Sequence, residues 1–285
     1  MITIALMGAG GKMGCRITDR LKDSQYMMFY VETGAAGIAN LAARGLVPMP
    51  QEQALPEADV VILALPDNLI ERISAQVVPH LKSGALVICL DPAAPLAGKV
   101  LHRDDLAYFV THPCHPSVFS YDATPEERRD FFGGIKARQS IVSALLHGTD
   151  EDYARGEEIA RQMYGPVTRS HRVTVEQMAM LEPALSETTS QTCLQVVREA
   201  LDEVIQRGVP AEAARDFILG HINIQLAIFF GELNIQFSDG AKKAMERARD
   251  QIIKPDWKQV FEPEKIRECL EEITRAPGAA SDTRN

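Results

Sequence analysis

Two histidines, His112 and His115, stand in the run Thr111-His112-Pro113-Cys114-His115-Pro116, where prolines stiffen a loop at the carboxyl end of an apolar segment. An imidazole placed there can take a hydroxyl proton during a redox step or, as a neutral ligand, hold a metal ion. The pair alone does not make a metal site, because further ligands must come from elsewhere. The best remote partner is Glu182, in Met178-Ala179-Met180-Leu181-Glu182-Pro183-Ala184-Leu185, a carboxylate among apolar residues beside a proline that bends a helix. Ser186 and Thr189 fall at i+4 and i+7 from Glu182 and should share its helical face. A helix-kink residue at a domain boundary is the competing role for Glu182. His221 and Gln225, one turn apart on an otherwise apolar helix, form a polar stripe that either faces a substrate or is satisfied inside a core. Cys114 shares the histidine loop, and nothing beyond its position marks it as a nucleophile.

Such groups need a scaffold, and the chain opens on one. Ile2-Thr3-Ile4-Ala5-Leu6-Met7 is an apolar strand running into Gly8-Ala9-Gly10-Gly11-Lys12-Met13-Gly14. The spacing is Gly8-x-x-Gly11-x-x-Gly14 with Gly10 added; Met13 stands where a GxGxxG pattern would place its third glycine. A strand, a glycine turn and a helix in that order bring backbone N–H groups onto a pyrophosphate, so Ala9, Gly10, Gly11, Lys12, Met13 and Gly14 are the expected phosphate contacts. Glu32 closes the second strand, where an acid bonds the adenosine ribose hydroxyls and repels a 2′-phosphate, and no arginine follows at once. That favours NAD over NADP. Pro66, Asp67 and Asp91 lie at the carboxyl ends of later strands, the rim where open parallel sheets bind ligands.

The remaining pattern alternates apolar runs (26–31, 58–65, 85–90, 108–111 and 140–146) with helical stretches (15–22, 37–44, 69–81 and 152–164). Strands alternating with helices imply a parallel sheet with crossover helices. Residues 117–137 read as a solvated loop with one helical turn, with a flap over the cleft as the alternative. From Val175 the texture turns helical: residues 175–207, broken only by Pro183, then 211–232, then 263–273. The apolar stretch 222–230 should be buried inside a bundle or against a second subunit. The expected fold is therefore α/β, an N-terminal Rossmann-type parallel sheet over residues 1–170 followed by an all-helical domain over 171–285 for substrate and dimerisation. Residues 276–285 read as a small, polar, disordered tail.

Composition narrows the partners. A net charge of −9 over 285 residues argues against nucleic acid or an anionic membrane. No apolar run approaches the ~18 residues of a membrane span. The first residues form a core strand, leaving no room for a leader. Five scattered cysteines without a CxxC pair fit reduced thiols, so a cytoplasmic protein working on a small molecule is expected.

The glycine turn at 8–14 and the His112-Pro113 pair resemble the 6-phosphogluconate and prephenate dehydrogenase superfamily. Together with residues 112–119, 182–188 and 220–230, they are most similar to the D-apionate oxidoisomerase family, over nearly the whole chain. The lysine-plus-asparagine catalytic helix of the superfamily's hydroxyacid dehydrogenases is not evident. The resemblance implies NAD-dependent oxidation of D-apionate, a branched sugar acid, to 3-oxo-isoapionate, by hydride transfer followed by an α-ketol shift. A divalent cation such as zinc or magnesium would suit both steps. On that footing His115 and Glu182 are expected to hold the metal, with His112 as base or orienting group and His221 nearby as a second catalytic residue. A homodimer completing each cleft at the subunit boundary is the expected assembly. A metal-free NAD-dependent dehydrogenase of another hydroxy or sugar acid stays open, as does a Rossmann nucleotide sensor without chemistry.

Overall fold

The computed structural model describes residues 1–275, and the tail 276–285 lies outside the described residues. In chain order the first elements are β1 (Thr3–Met7), α1 (Lys12–Leu21), β2 (Met27–Val31), α2 (Ala35–Ala42), α3 (Gln51–Ala54), β3 (Val60–Leu63) and α4 (Asp67–Val77). They continue with β4 (Leu86–Cys89), α5 (Ala93–Leu96), β5 (Ala107–Pro113), β6 (Gln139–His147), α6 (Asp150–Met163), β7 (Val167–Arg172) and α7 (Val175–Ala179). A π-helical segment, Met180–Gln191, follows, and then α8 (Thr192–Gln206), α9 (Ala211–Phe229), α10 (Asp239–Ile252) and α11 (Pro263–Ile273). Packing separates the chain into two compact units, Met1–Glu182 together with the chain from Arg267, and Pro183–Ile266.

In the first unit seven strands form one sheet in the order β2-β1-β3-β4-β5-β6-β7. The pairs from β2 to β5 are parallel, β5 and β6 run antiparallel, and β6 and β7 are parallel again. The central strands Val60–Leu63 and Leu86–Cys89 are buried at every residue. This is why they read as unbroken aliphatic runs: helices cover both faces, so neither set of alternate side chains meets water. On one face Met7, Val61, Leu63, Val87 and Val110 pack against Ile70 and Val77 of α4 and Val175 and Met178 of α7. On the other, Leu6, Ile62, Ile88 and Phe109 pack against Ile17 and Leu21 of α1 and Ile159 and Met163 of α6. A capping box starts α6, with Thr149 accepting from the Asp152 N–H and Asp152 accepting in return. The chain leaves β1 toward β2 on one side and returns to β3 on the other. That reversal opens a crevice at the carboxyl ends of these strands.

Two elements depart from the sequence pattern. Strand β7 was not expected, because Val-Thr-Arg-Ser-His-Arg has one apolar residue and sits at the sheet's edge. The helix expected over 175–207 is interrupted by more than Pro183: residues 180–191 wind as a π-helix. Thr189 Oγ1 donates to the Ala184 carbonyl five residues back, at 2.8 Å, so the i+4 and i+7 face expected for Ser186 and Thr189 does not form as such.

The second unit is built of helices that bury little. Neither α8 nor α10 contains a buried residue, and α9 buries only Ala214 and Ala227. Helix α10 is strongly charged, and the sequence pattern had not marked it. The apolar stretch expected to be covered is largely open in a single copy, with Phe229 61% and Phe230 71% exposed.

Candidate active site

At the end of β1 the chain turns back under β2: the Gly8 and Ala9 N–H groups donate to the Val31 carbonyl at 2.9 and 3.2 Å. Gly11 starts α1 with no side chain capping it. The helix's leading N–H groups, of Lys12, Met13 and Gly14, therefore face outward as donors. Gly10 is required by proximity, since a Cβ there would stand 2.1 Å from the Gly37 carbonyl oxygen, and one on Gly14 would stand 2.0 Å from that of Gly8. Glu32 accepts from the Gly10 N–H at 3.1 Å, the Thr33 N–H at 2.9 Å and the Gly34 N–H at 2.8 Å. The strand-end acid thus ties the glycine turn to the start of α2. It also lines a groove of about 590 Å³ with Val31, Met49, Leu65, Arg72 and Gln76. Arg72 and Gln76 come from α4, and sequence reading had not placed them there. Pro66 precedes α4 and fixes its first turn.

Further along the rim, His112 ends β5 with its ring Nδ1 2.9 Å from the Leu90 carbonyl oxygen. A carbonyl only accepts, so Nδ1 carries a proton and Nε2 is the ring position left to meet a partner. That Nε2 lies 3.6 Å from Glu182 Oε2, with both side chains half-buried. Asp91 stands behind, its Oδ2 3.8 Å from Nδ1 and its Oδ1 accepting the Ala93 N–H at 2.8 Å. Glu182 reaches this corner because α7 packs on the sheet face that carries Val110 and Val142, and the chain continues from α7 to Glu182.

His115 is placed differently from expectation. It adopts φ 60°, the left-handed region that costs a side-chain-bearing residue ~1–3 kcal/mol. Its Nδ1 donates to the Phe132 carbonyl at 2.9 Å, and its ring stands edge-on to His112 at 6.0 Å. Glu182 therefore meets His112, whereas His115 is turned toward the 117–137 loop. That loop is held down rather than simply solvated. The Phe132 ring lies under Lys12 at 4.8 Å and Arg16 at 5.2 Å, and Arg16 pairs with Asp130 at 3.1 Å. Burial opposes ionisation of Asp130, yet the N–H groups of Lys136, Ala137 and Ile135 hold its carboxyl below the usual carboxylate range. Lys12, expected to face a pyrophosphate, thus spends its ammonium group partly on the loop.

Burial pushes the Cys114 thiol up, with nearby Glu182 adding to the effect and Arg169 opposing it. It is a protonated thiol near neutral pH and no nucleophile. His221 sits exposed on α9 in the second unit, stacked on Phe217 at 3.9 Å, with Nδ1 donating to the Phe217 carbonyl at 2.7 Å. Among the described residues no cluster of three or more His, Cys, Asp or Glu gathers as a ready-made metal cage. No helix of the described residues is long and apolar enough to cross a membrane.

Comparison with known proteins matches this layout. Residues 2–99 fit the acetohydroxy acid isomeroreductase NADPH-binding domain, and residues 120–274 fit the phosphogluconate dehydrogenase (decarboxylating) C-terminal family. A D-apionate oxidoisomerase of Cupriavidus necator is 50% identical over 272 residues, covering 95% of this chain and 99% of its own. One of Rhizobium rhizogenes is 50% identical over 275 residues, covering 96% and 100%. A solved structure of a semialdehyde dehydrogenase NAD-binding protein from Cupriavidus necator, in complex with calcium and NAD, superposes with a TM-score of 0.94. It is 50% identical and covers 96% of this chain and 100% of its own. At this level of likeness the chain is an NAD-dependent oxidoreductase and belongs to the D-apionate oxidoisomerase family.

Proposed function

We propose that this protein oxidises D-apionate with NAD and rearranges the carbon skeleton to give 3-oxo-isoapionate. The relatives' activity suggests the reaction, and His112 Nε2 facing the Glu182 carboxylate at 3.6 Å carries the reading. Two electron-pair donors held this close repel each other unless a cation or a proton lies between them. Two ligands on a tetrahedral ion with bonds of ~2.1 Å stand about 3.4 Å apart, so the pair fits a divalent cation such as zinc or magnesium. The roles expected for the two histidines are exchanged: His112, not His115, is the imidazole ligand beside Glu182. When bound, NAD supplies the hydride acceptor and the cation supplies Lewis acidity toward the substrate's oxygens.

The chain's own groups do the rest. The Leu90 carbonyl and the Asp91 carboxylate fix the His112 tautomer and the orientation of its ring, which aims Nε2 at Glu182. His115, with Nδ1 engaged by Phe132, has Nε2 as its acceptor and takes the proton of the hydroxyl being oxidised. Oxidation at the carbon next to the carboxylate leaves a 2-oxo acid beside a tertiary alcohol. Migration of one hydroxymethyl group from the alcohol carbon to the oxo carbon then yields the 3-oxo product. The Phe132 loop is tied to this end of the cleft by Lys12 and Arg16 over its ring. His221, exposed on α9 and stacked on Phe217, takes no part in this reading.

In this reading residues 1–170 bind NAD and also carry His112 and His115, residues 171–285 add Glu182 to the reacting groups, and the helices that follow serve dimerisation. The exposed Phe217, Phe229 and Phe230 of the helical unit are covered in a homodimer. Sedimentation at micromolar concentration tests this, and a monomer contradicts it. The scattered cysteines without a CxxC pair are read as the reduced thiols of a cytoplasmic protein. The reaction is tested by incubating the protein with NAD and D-apionate and following the product by carbon NMR. One NADH per rearranged product is expected. NADH with an unrearranged 2-oxo acid would reduce the protein to a simple dehydrogenase.

A further inference from the structure

Beside His112 the outer strands build a second surface that the proposed chemistry leaves unused. Residues paired directly across a sheet share a face, and two such rows run outward from the reactive corner. In the first, His112 on β5 pairs with Val142 on β6, which pairs with His171 on β7. In the second, the Cys114 N–H donates to the Ser140 carbonyl at 2.9 Å, and Ser140 pairs with Arg169. Cys114, Ser140, Arg169 and His171 therefore extend the face that carries His112. With strands ~4.8 Å apart, Arg169 stands about 10 Å from Cys114, within reach of a small acid seated between them.

The same residues wall a cavity of about 890 Å³, closed opposite by the 117–137 loop and including His115. Three arginines line it, and two are already engaged. Arg128 donates to the carbonyls of Ala123 and Tyr121 at 3.0 and 3.1 Å, and Arg138 pairs with Asp122. Arg169 makes no side-chain hydrogen bond or ion pair among the described residues. A planar guanidinium facing a cavity next to an acid–base and cation-binding corner is matched to a carboxylate, which it can hold by two parallel bonds.

We propose that Arg169 recognises the substrate's carboxylate and so sets the enzyme's preference for sugar acids over neutral sugars. This rests on the oxidation reading above and adds the anchor that orients the acid, leaving its hydroxyl end toward His112 and His115. The competing role is a charge that guards an exposed edge strand against pairing with another chain. Such a role would leave substrate affinity alone.

The test compares wild type with Arg169→Gln and Arg169→Lys, by calorimetric binding of D-apionate to the NADH complex and by steady-state kinetics. Apiitol, the same skeleton with the carboxyl reduced to an alcohol, serves as neutral competitor. Arg169→Gln is expected to weaken D-apionate binding and raise its KM on the order of 10²-fold, with the KM for NAD unchanged and kcat within a few-fold. Its preference for D-apionate over apiitol should collapse, and Arg169→Lys should restore part of it. Arg169→Gln binding D-apionate as tightly as wild type, or Arg169→Lys doing no better than Gln in a folded protein, overturns the inference. Wild type that binds D-apionate without forming NADH overturns the oxidation reading alone. Wild type that does not bind it overturns both.

Discussion

The two ends of the rim cleft are opposites in hydrogen-bonding terms. At the glycine turn the backbone offers donors: α1 begins without a side-chain cap, and its leading N–H groups face outward. At the other end the surplus is of acceptors, with His112 Nε2 and Glu182 Oε2 facing each other at 3.6 Å. The first end is built for an anion and the second for a cation or a proton. In the proposed reaction the dinucleotide would lie at the first pole, and the substrate's oxygens would meet the second through the cation held there. The fold supplies this polarity through the parallel strands, whose carboxyl ends all open on the same rim.

Breaking the acceptor end should cost most. Glu182→Gln removes the negative charge while keeping the shape, and kcat for NADH formation is expected to fall on the order of 10³-fold. The KM for NAD should stay put, as stopped-assay kinetics over an NAD series would show. A change confined to NAD affinity would place Glu182 at the wrong pole.

The donor end should respond in the reverse manner. Gly10→Ala drives a methyl group to 2.1 Å from the Gly37 carbonyl oxygen, which the tie between the turn and α2 cannot absorb. Overpacking of this kind costs ~1–3 kcal/mol. NADH affinity measured by fluorescence titration should weaken about 10- to 100-fold, with kcat at saturating NAD little altered. Unchanged NADH affinity would mean that the turn does not need its close approach to α2.

Between the poles, Asp130 holds the Phe132 loop in place. Its carboxyl is held below the usual range in the folded protein, so its stabilisation is full above the ordinary aspartate value and is lost as pH falls through the lowered one. Asp130→Asn should therefore be less stable than wild type by about 1 kcal/mol at pH 7. Denaturant midpoints should converge as the pH is taken toward 3. A difference independent of pH would remove charge from the explanation.

The smallest effect belongs to Cys114, whose thiol is pushed up by burial. Cys114→Ser should alter kcat by less than about 3-fold, and iodoacetamide at pH 7 should leave wild-type activity intact. Rapid inactivation would show a thiolate that the surroundings do not favour.

The two poles were not equally legible in the chain. The turn is local: seven consecutive residues after an apolar strand state both the geometry and the ligand, and Glu32 follows at the next strand's end. Strands β3 and β4 were equally plain, because burial on both faces leaves a continuous aliphatic run. The acceptor pole depends on residues 70 positions apart, as the numbers 112 and 182 show, and on a local twist that spacing does not encode. His115 carries the same ligand chemistry as His112, but its left-handed backbone turns its ring to Phe132. The π winding of Met180–Gln191 likewise changes which side chains share a face, so an α-helical period misplaces Ser186 and Thr189. Arg169 was hidden because β7 is a polar edge strand with no alternating apolar face. Its signal was the pair Arg169 and His171 at i, i+2, which becomes meaningful only once β7 is known to be a strand.

The opposition of the poles rests on a cation held by His112 and Glu182, and one measurement addresses it directly. Chelator-stripped protein is titrated calorimetrically with zinc, then with magnesium, alongside His112→Ala and Glu182→Gln. The result expected is one site per chain in the wild type, lost in both variants, with NADH formation from D-apionate restored as the wild-type site fills. Full activity after exhaustive chelation, or cation binding that survives both substitutions, would contradict it.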